Sequence, residues 1–455
     1  MAGLLAYVFW LVALLRPESR FWVHPSGLRL AYTEKQYQVA LVWTSILPQW
    51  GSGVRVKPSH CSSASEDWTS YEADWAWSFI RYSRTWEVVY KVLVPNISPD
   101  CAYQYQVGAG LIWTSTKTIS SLMSPYDYNS TTEADLAHVD DFLVVGDMGS
   151  GRSSQATRDN LERIVQREKV DALIHLGDIA YDLESIRPGI SRAFFQEIEP
   201  FSSRIPYMVL PGNHEIIDDY AQYMADFRMP VNPSNEGNNL YYSFNLGRVH
   251  FTVICGEDLY HSTPAIQAKQ LAWIQADLAL ANLHRQQTPW LVIMTHRPYY
   301  CLLNYRLSVD PQLADVCNKD CGYRADRLRK MLEELLYEHG VDLVLHAHIH
   351  AYQRTTPLYH NVTVPSTFDD FNTHLDPKAP VFILCGAAGN REGNDYLSPT
   401  PQLWNLVQSR TLSYGRLKVF NETHLYWELW DSLRTLKLDH VWLIKTQLRY
   451  GLPTS

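Results

Sequence analysis

The chain has no lysine or arginine run, no CxxC pair, no internal repeat and no low-complexity tract, and it has only one long apolar stretch at a terminus. With no basic run and a formal net charge of -9 over 455 residues, general nucleic-acid binding and a polybasic membrane patch are excluded. A small anionic substrate stays open, because bound metal ions can supply positive charge locally. Cysteine is sparse: the 7 present cannot all pair within one chain, and none of their spacings is that of a zinc ribbon or a redox pair. The apolar stretch, residues 2–15, is short for a bilayer span and has the length of a signal-peptide core. Residues 1–22 are therefore expected to be a signal peptide, with an uncleaved anchor or a buried first strand as alternatives. The segment before the apolar core holds neither Lys nor Arg, and no clean small-x-small cleavage site follows it.

What is present is ample apolar material, 46% of residues, enough for two or three domains. Residues 24–118 alternate in the manner of short strands, as in Gln38–Thr44, Thr85–Val94 and Ala102–Val107, with turn-rich pieces between them. That pattern, with no helical period, predicts an all-β sandwich that packs against or shapes a cleft and carries no polar constellation of its own. The polar residues 119–139 read as a linker. Residues 140–447 alternate strands with helices, the latter at Arg152–Glu168, Ala265–Leu283 and Tyr323–Glu338, and so predict a layered α/β domain. Asn239–Gly247 and Val249–Ile254 read as a hairpin in a second sheet, which the strand-like pieces Gly415–Val419 and Leu425–Leu429 are expected to close. Two of Cys301, Cys317 and Cys321 are expected to form a local disulfide, Cys61 and Cys101 are a second candidate pair, and Cys255 and Cys385 read as buried free thiols. Sequons at Asn96, Asn129, Asn361 and Asn421 are compatible with secretion.

The α/β region has one repeated feature. Six short apolar runs of strand length end in Gly146-Asp147, Gly177-Asp178, Gly212-Asn213-His214-Glu215, His296, His346-Ala347-His348-Ile349-His350 and Cys385-Gly386. In open α/β sheets ligands gather at the carboxyl ends of strands, so these groups are expected to converge. Taken singly, an Asp after Gly reads as a turn or cap, Tyr181 as core and Asn213 as a turn residue. Taken together, Asp147, Asp178, Tyr181, Asn213, His296, His348 and His350 form a ligand set. Oxygens mixed with imidazoles suit a hard trivalent ion beside a borderline divalent one, and thus a two-metal site. His348 and His350, two apart on a strand end, can face one side, each serving a different metal. His175 reads as a strand histidine and His346 as a group standing behind the ligands.

On these blocks the chain resembles the metallophosphoesterases, and specifically the purple acid phosphatases. That family carries GDxG, GDxxY, GNH[ED], a strand ending in His, and GHxH. They stand here as Gly146–Gly149, Gly177–Tyr181, Gly212–Glu215, Val292–His296 and Ala347–His350. The segment His296–Cys301 is most similar to the animal type-7 acid phosphatase group. The resemblance implies an α/β metallophosphoesterase domain, a two-sheet sandwich flanked by helices, preceded by a fibronectin-III-like all-β sandwich. It implies a ferric ion on Asp147, Asp178, Tyr181 and His350. A divalent zinc, iron or manganese would sit on Asp178, Asn213, His296 and His348, with Asp178 bridging. The implied reaction is hydrolysis of phosphomonoesters at acidic pH by direct attack of a metal-bound hydroxide, with His214 contacting the phosphate and donating a proton to the leaving oxygen.

The alternatives are a phosphodiesterase or nucleotide pyrophosphatase of the same superfamily, or a catalytically silent secreted binding glycoprotein. Tyr181 favours the phosphatase over the former, and the intact ligand set argues against the latter. The implied partner is a small phosphate ester, with no nucleic acid and no stable membrane span, and the implied location is secreted or lysosomal. Three departures from the family pattern stand out. Ala347 replaces a glycine, Gln353 in Tyr352-Gln353-Arg354 replaces a glutamate, and Asn304-Tyr305-Arg306 stands where plant relatives have a second substrate histidine. Leaving-group protonation is thus expected to rest on His214 alone.

Overall fold

Val39–Ser45 is buried along its whole length although it lies in an antiparallel sheet, because both of its faces are covered. The structure, a computed structural model, describes residues 24–35, 37–59, 67–80, 85–98, 101–120, 122, 138–183, 190–231, 239–303, 319–399 and 402–446. The expected signal peptide, most of the expected linker, Cys61, Cys317, Asn129 and residues 304–306 lie outside the described residues. Among them no helix is long and apolar enough to cross a membrane.

The first domain is two antiparallel sheets. Ser26–Tyr32, Val39–Ser45, Thr85–Val94 and Asp74–Ile80 form one; Thr69–Glu72, Gly53–Ser59, Ala102–Ala109, Ile112–Trp113 and Lys117–Ile119 form the other. Alternation along Ala102–Ala109 sends Tyr103, Tyr105 and Val107 inward to meet Leu41, Trp43 and Tyr90. Trp43 stacks on Tyr90 with ring centroids 5.3 Å apart. Cys101, a member of the second candidate pair, is disulfide-bonded.

This sandwich docks on the second domain through a buried arginine. Arg29 donates to the Asp226 carbonyl from Nε at 3.1 Å and from Nη2 at 2.7 Å, and lies over the Phe195 ring at 3.7 Å. Lys91 donates to the carbonyls of Met224 and Phe227, and the Tyr105 hydroxyl to that of Ser203. Helix Ile190–Ser202 supplies Phe194, Phe195, Ile198 and Phe201 to the interior, with Phe195 under the Arg29 guanidinium.

The second domain is built on two mixed sheets. Sheet I runs Tyr207–Val209, Ala172–His175, Asp140–Val145, Ser413–Val419, His424–Asp431, Lys437–Ile444, Thr373–Leu375, Phe368–Asp369. Sheet II runs Tyr242–Leu246, Val249–Ile254, Trp290–Thr295, Leu343–His346, Val381–Cys385, Tyr352–Thr355, Asn405–Ser409. The buried aliphatic strands of each are parallel and joined by helices, Gln155–Arg167 and Ile190–Ser202 in sheet I, Pro264–Leu283 and Ala325–Glu338 in sheet II. Helix Pro264–Leu283 starts where the Thr263 side chain accepts from the Ile266 amide, with Pro264 in the first turn. Phe142 of sheet I meets Phe251 of sheet II edge to face, 5.1 Å between centroids.

One expectation changes. The hairpin Tyr242–Leu246/Val249–Ile254 does form, in sheet II, but the C-terminal strands close sheet I, where Ser413–Val419 pairs antiparallel with Asp140–Val145. The six ligand-bearing runs are also split between two sheets, three in each, so the site lies where two sheet edges meet.

Candidate metal centre

Sheet I delivers Asp147, Asp178 and Asn213, each just past a strand; sheet II delivers His296, His348 and His350 in the same way. Backbone geometry at these strand ends is unusual. Asp147, Asp178, Tyr181 and His348 all hold positive φ, at 56°, 50°, 50° and 70°. Non-glycine residues rarely adopt that conformation, and it clusters where function demands it. Glycine is needed beside them for space: a Cβ on Gly212 would stand 2.2 Å from Asp178 Oδ1, and one on Gly177, itself at φ +84°, would stand 2.7 Å from His296 Nδ1. The strand before His348 stops at His346, so His348 and His350 lie on a turn and not, as expected, on the strand itself.

All seven expected ligands converge. The Tyr181 hydroxyl lies 3.0 Å from Asp147 Oδ1 and 2.8 Å from His350 Nε2. His296 Nε2 lies 3.2 Å from Asp178 Oδ2 and 3.3 Å from Asn213 Oδ1. Ligand atoms of Asp178, His296 and His348 all lie within 4.8 Å of one another, the spacing of groups around one cation. His214 sits beside this set, its Nε2 3.9 Å from Asp178 Oδ2, while its Nδ1 makes a short hydrogen bond to Asp182.

Charge and burial fit a cation. Asp147, Asp178 and Tyr181 are 0–1% exposed. Burial and the Asp147 and Asp178 carboxylates push the Tyr181 phenol well above its ordinary value, so ionising it needs a compensating positive charge. Burial alone would raise Asp178, but His296, His214 and His348 outweigh it and hold the carboxyl below its usual range. Burial opposes charge on His296 and His350 too. Asp178 overcomes this at His296, pushed up to about 10, and Asp147 at His350, pushed up to about 9. His348 Nδ1 is buried with no hydrogen-bond partner, as a nitrogen reserved for a ligand would be. His296 Nδ1 is held by the Leu176 carbonyl at 2.7 Å, which leaves Nε2 for a cation.

Several partners were not visible as site residues in the sequence. Glu215 accepts from the amides of Asp178, Ile179 and Gly212 at 2.8–2.9 Å, tying two ligand loops together. Asp395 accepts from the His350 amide at 2.7 Å, and the Gly393 carbonyl lies 2.9 Å from His350 Nδ1. The fourth position of GNH[ED] is the only sequence signal for Glu215; the others are distant in the chain. His346 is no support for the ligands: both its ring nitrogens lack a partner and burial lowers it to about 3, so it is neutral core. His175 is core as expected, Nδ1 2.6 Å from the Tyr207 hydroxyl. Of the cysteines, Cys301 pairs with Cys321, and Cys255 and Cys385 are buried free thiols.

Two packed mixed sheets with acid, amide and imidazole groups on their facing strand ends define a metallophosphoesterase. Residues 141–352 match the calcineurin-like phosphoesterase family, and residues 379–439 match the iron/zinc purple acid phosphatase-like protein C family. The chain belongs to the purple acid phosphatase family. It is 31% identical over 372 residues to human acid phosphatase type 7, covering 78% of this chain and 77% of that protein. The Danio rerio acid phosphatase type 7 is 30% identical over 385 residues, covering 81% of this chain and 80% of the relative. The purple acid phosphatase PPD1 from yellow lupin (Lupinus luteus) seeds shares the fold, with a TM-score of 0.75 at 18% identity over 93% of this chain and 75% of that one.

Proposed function

We propose that this chain is an acid phosphatase that hydrolyses phosphomonoesters at a binuclear centre. A ferric ion would be held by Asp147, Asp178, Tyr181 and His350, and a divalent zinc, iron or manganese by Asp178, Asn213, His296 and His348. The observation that carries the reading is Tyr181, buried between Asp147 and His350 in a site whose carboxylates make ionisation costly without a hard cation. Bound cations would supply Lewis acidity toward phosphoryl oxygens and acidify water.

The chain's own residues do the rest. His214 faces the ligand set, and although burial opposes its charge, Asp182 and Asp178 push it up to about 9. It therefore carries a proton throughout the acidic range, where it contacts the phosphate and protonates the leaving oxygen. Asp182 fixes its ring from behind and is held in turn by Arg391 at 3.0 Å.

A secreted or lysosomal location is part of the proposal. The Cys301–Cys321 disulfide and the exposed sequon residues Asn96 and Asn361 support it. The test is the visible spectrum of the purified protein with its iron, zinc and manganese content. A charge-transfer band that vanishes in Tyr181→Phe, with two metals per chain, is expected. A colourless protein with two divalent metals would move the reading to a phosphodiesterase, and a metal-free one to a binding glycoprotein.

A further inference from the structure

A histidine can offer a metal only the ring nitrogen that carries no proton, so whatever sits at the other nitrogen decides whether the ligand is available. At His348, Nδ1 is buried and unpartnered, while Nε2 faces two groups of opposite demand. Arg297 Nη1, which can only donate, is 2.6 Å away; Asp320 Oδ2, which as a carboxylate can only accept, is 3.4 Å away. If the guanidinium wins, Nε2 accepts and the proton goes to Nδ1, closing the ligand. If the carboxylate wins, Nε2 keeps the proton and Nδ1 is free.

Asp320 is built to win. It is 5% exposed, and its Oδ1 accepts from Arg297 Nη1 at 3.0 Å and Arg324 Nη1 at 2.6 Å, so the competing Arg297 nitrogen is shared between the ring and the carboxylate. Glu257 takes Arg297 Nε at 2.6 Å from the far side. The next residue, Cys321, is bonded to Cys301, five positions after His296, so the disulfide fastens Asp320 to the loop that follows another ligand.

We propose that Asp320 is a positioning residue for the divalent-metal site: it accepts the Nε2 proton of His348 and keeps Nδ1 open to the cation. This rests on the binuclear reading above. The test compares full-length wild type, Asp320→Ala, Asp320→Asn and the double variant Asp320→Ala/Arg297→Gln, counting both metals per chain after dialysis against rising EDTA. In Asp320→Ala the EDTA midpoint for losing one metal is expected to fall about 10–100-fold, while the visible band and the other metal stay. The double variant is expected to regain part of that loss, because the donor that drives the closed tautomer is gone; a merely structural aspartate would show no such rescue. Asp320→Asn, isosteric with the native side chain, is expected to fall between and serves if the alanine variant does not fold. A wild-type midpoint in either single variant, or no rescue in the double, overturns the proposal. A wild-type protein that holds no metal overturns the binuclear reading instead.

Discussion

The two halves of the candidate centre are closed in different ways. On the tyrosine side the phenol bridges Asp147 and His350, and every one of these side chains has a partner inside the site. On the amide side, Asn213, His296 and His348 converge on Asp178 but leave a buried ring nitrogen unpartnered, and that half leans on ion pairs reaching outward through Arg297 and Asp320. One half is preassembled and the other is an opening held ready. The difference suits a pair of cations of unequal hardness, the harder on the phenol.

The comparison is broken most severely at the shared residue. Asp178→Ala is expected to empty both halves and lower kcat by at least about 10⁴-fold, since bound metals would supply both charge stabilisation and an activated water; metal analysis and turnover on an aryl phosphate check it. His348→Ala should empty the open half only, leaving one metal and the visible band with kcat down by about 10³-fold. His214→Ala should leave both halves filled and lower kcat by about a hundredfold, the lower end of what a positioned proton donor supplies. Wild-type turnover at acidic pH in that variant would end the proton-donor assignment.

A smaller effect concerns pH. His214 must be protonated to donate, so kcat/KM is expected to fall as pH rises through about 9, and Asp182→Asn should move that limb down toward the ordinary histidine value of 6.5. The same raised pKa means that the pair contributes stability fully present below 6.5 and lost as pH rises through about 9, which urea unfolding across that range would report. An unmoved alkaline limb in the variant would dissociate Asp182 from His214. The smallest effect is expected at Gln353, whose amide donates to the Leu302 carbonyl at 2.7 Å and accepts from the Leu302 amide at 2.9 Å. A glutamate there could only accept, so Gln353→Glu should cost about 1 kcal/mol in urea unfolding while activity stays.

The seven ligands were legible in the sequence because each follows a short aliphatic run, and that recurrence is a local pattern. Sheet membership was not. Gly415–Val419 reads as a strand, but nothing local says that its partner is Asp140–Val145, some 270 residues earlier; such pairing is decided by faces that only the fold brings together. Asp395 and Asp320 escape a sequence reading for the same reason, since a lone carboxylate in a loop has no signature until its partner amide or ring is in place; Glu215 stands in the GNH[ED] block, but its tie to the Asp178 and Ile179 amides shows only in the fold. His346 misled by proximity: one residue from the motif, it faces Phe382 and the core. His348 and His350 read as lying on a strand end; the strand stops at His346, and the chain turns just beyond it with a positive φ at His348.

The docking of Arg29 on the Asp226 carbonyl also bears on how the chain is made. The two residues are 197 positions apart, and Arg29 ends up 2% exposed. Domains form in order of synthesis, N-terminal first, so the sandwich can complete its own core long before its partner surface leaves the ribosome. Until then the guanidinium stays hydrated and the flank around Ser26–Tyr32 faces solvent. Burying that charge waits for residue 226, so the first domain gains its final stability only after the opening part of the second has emerged.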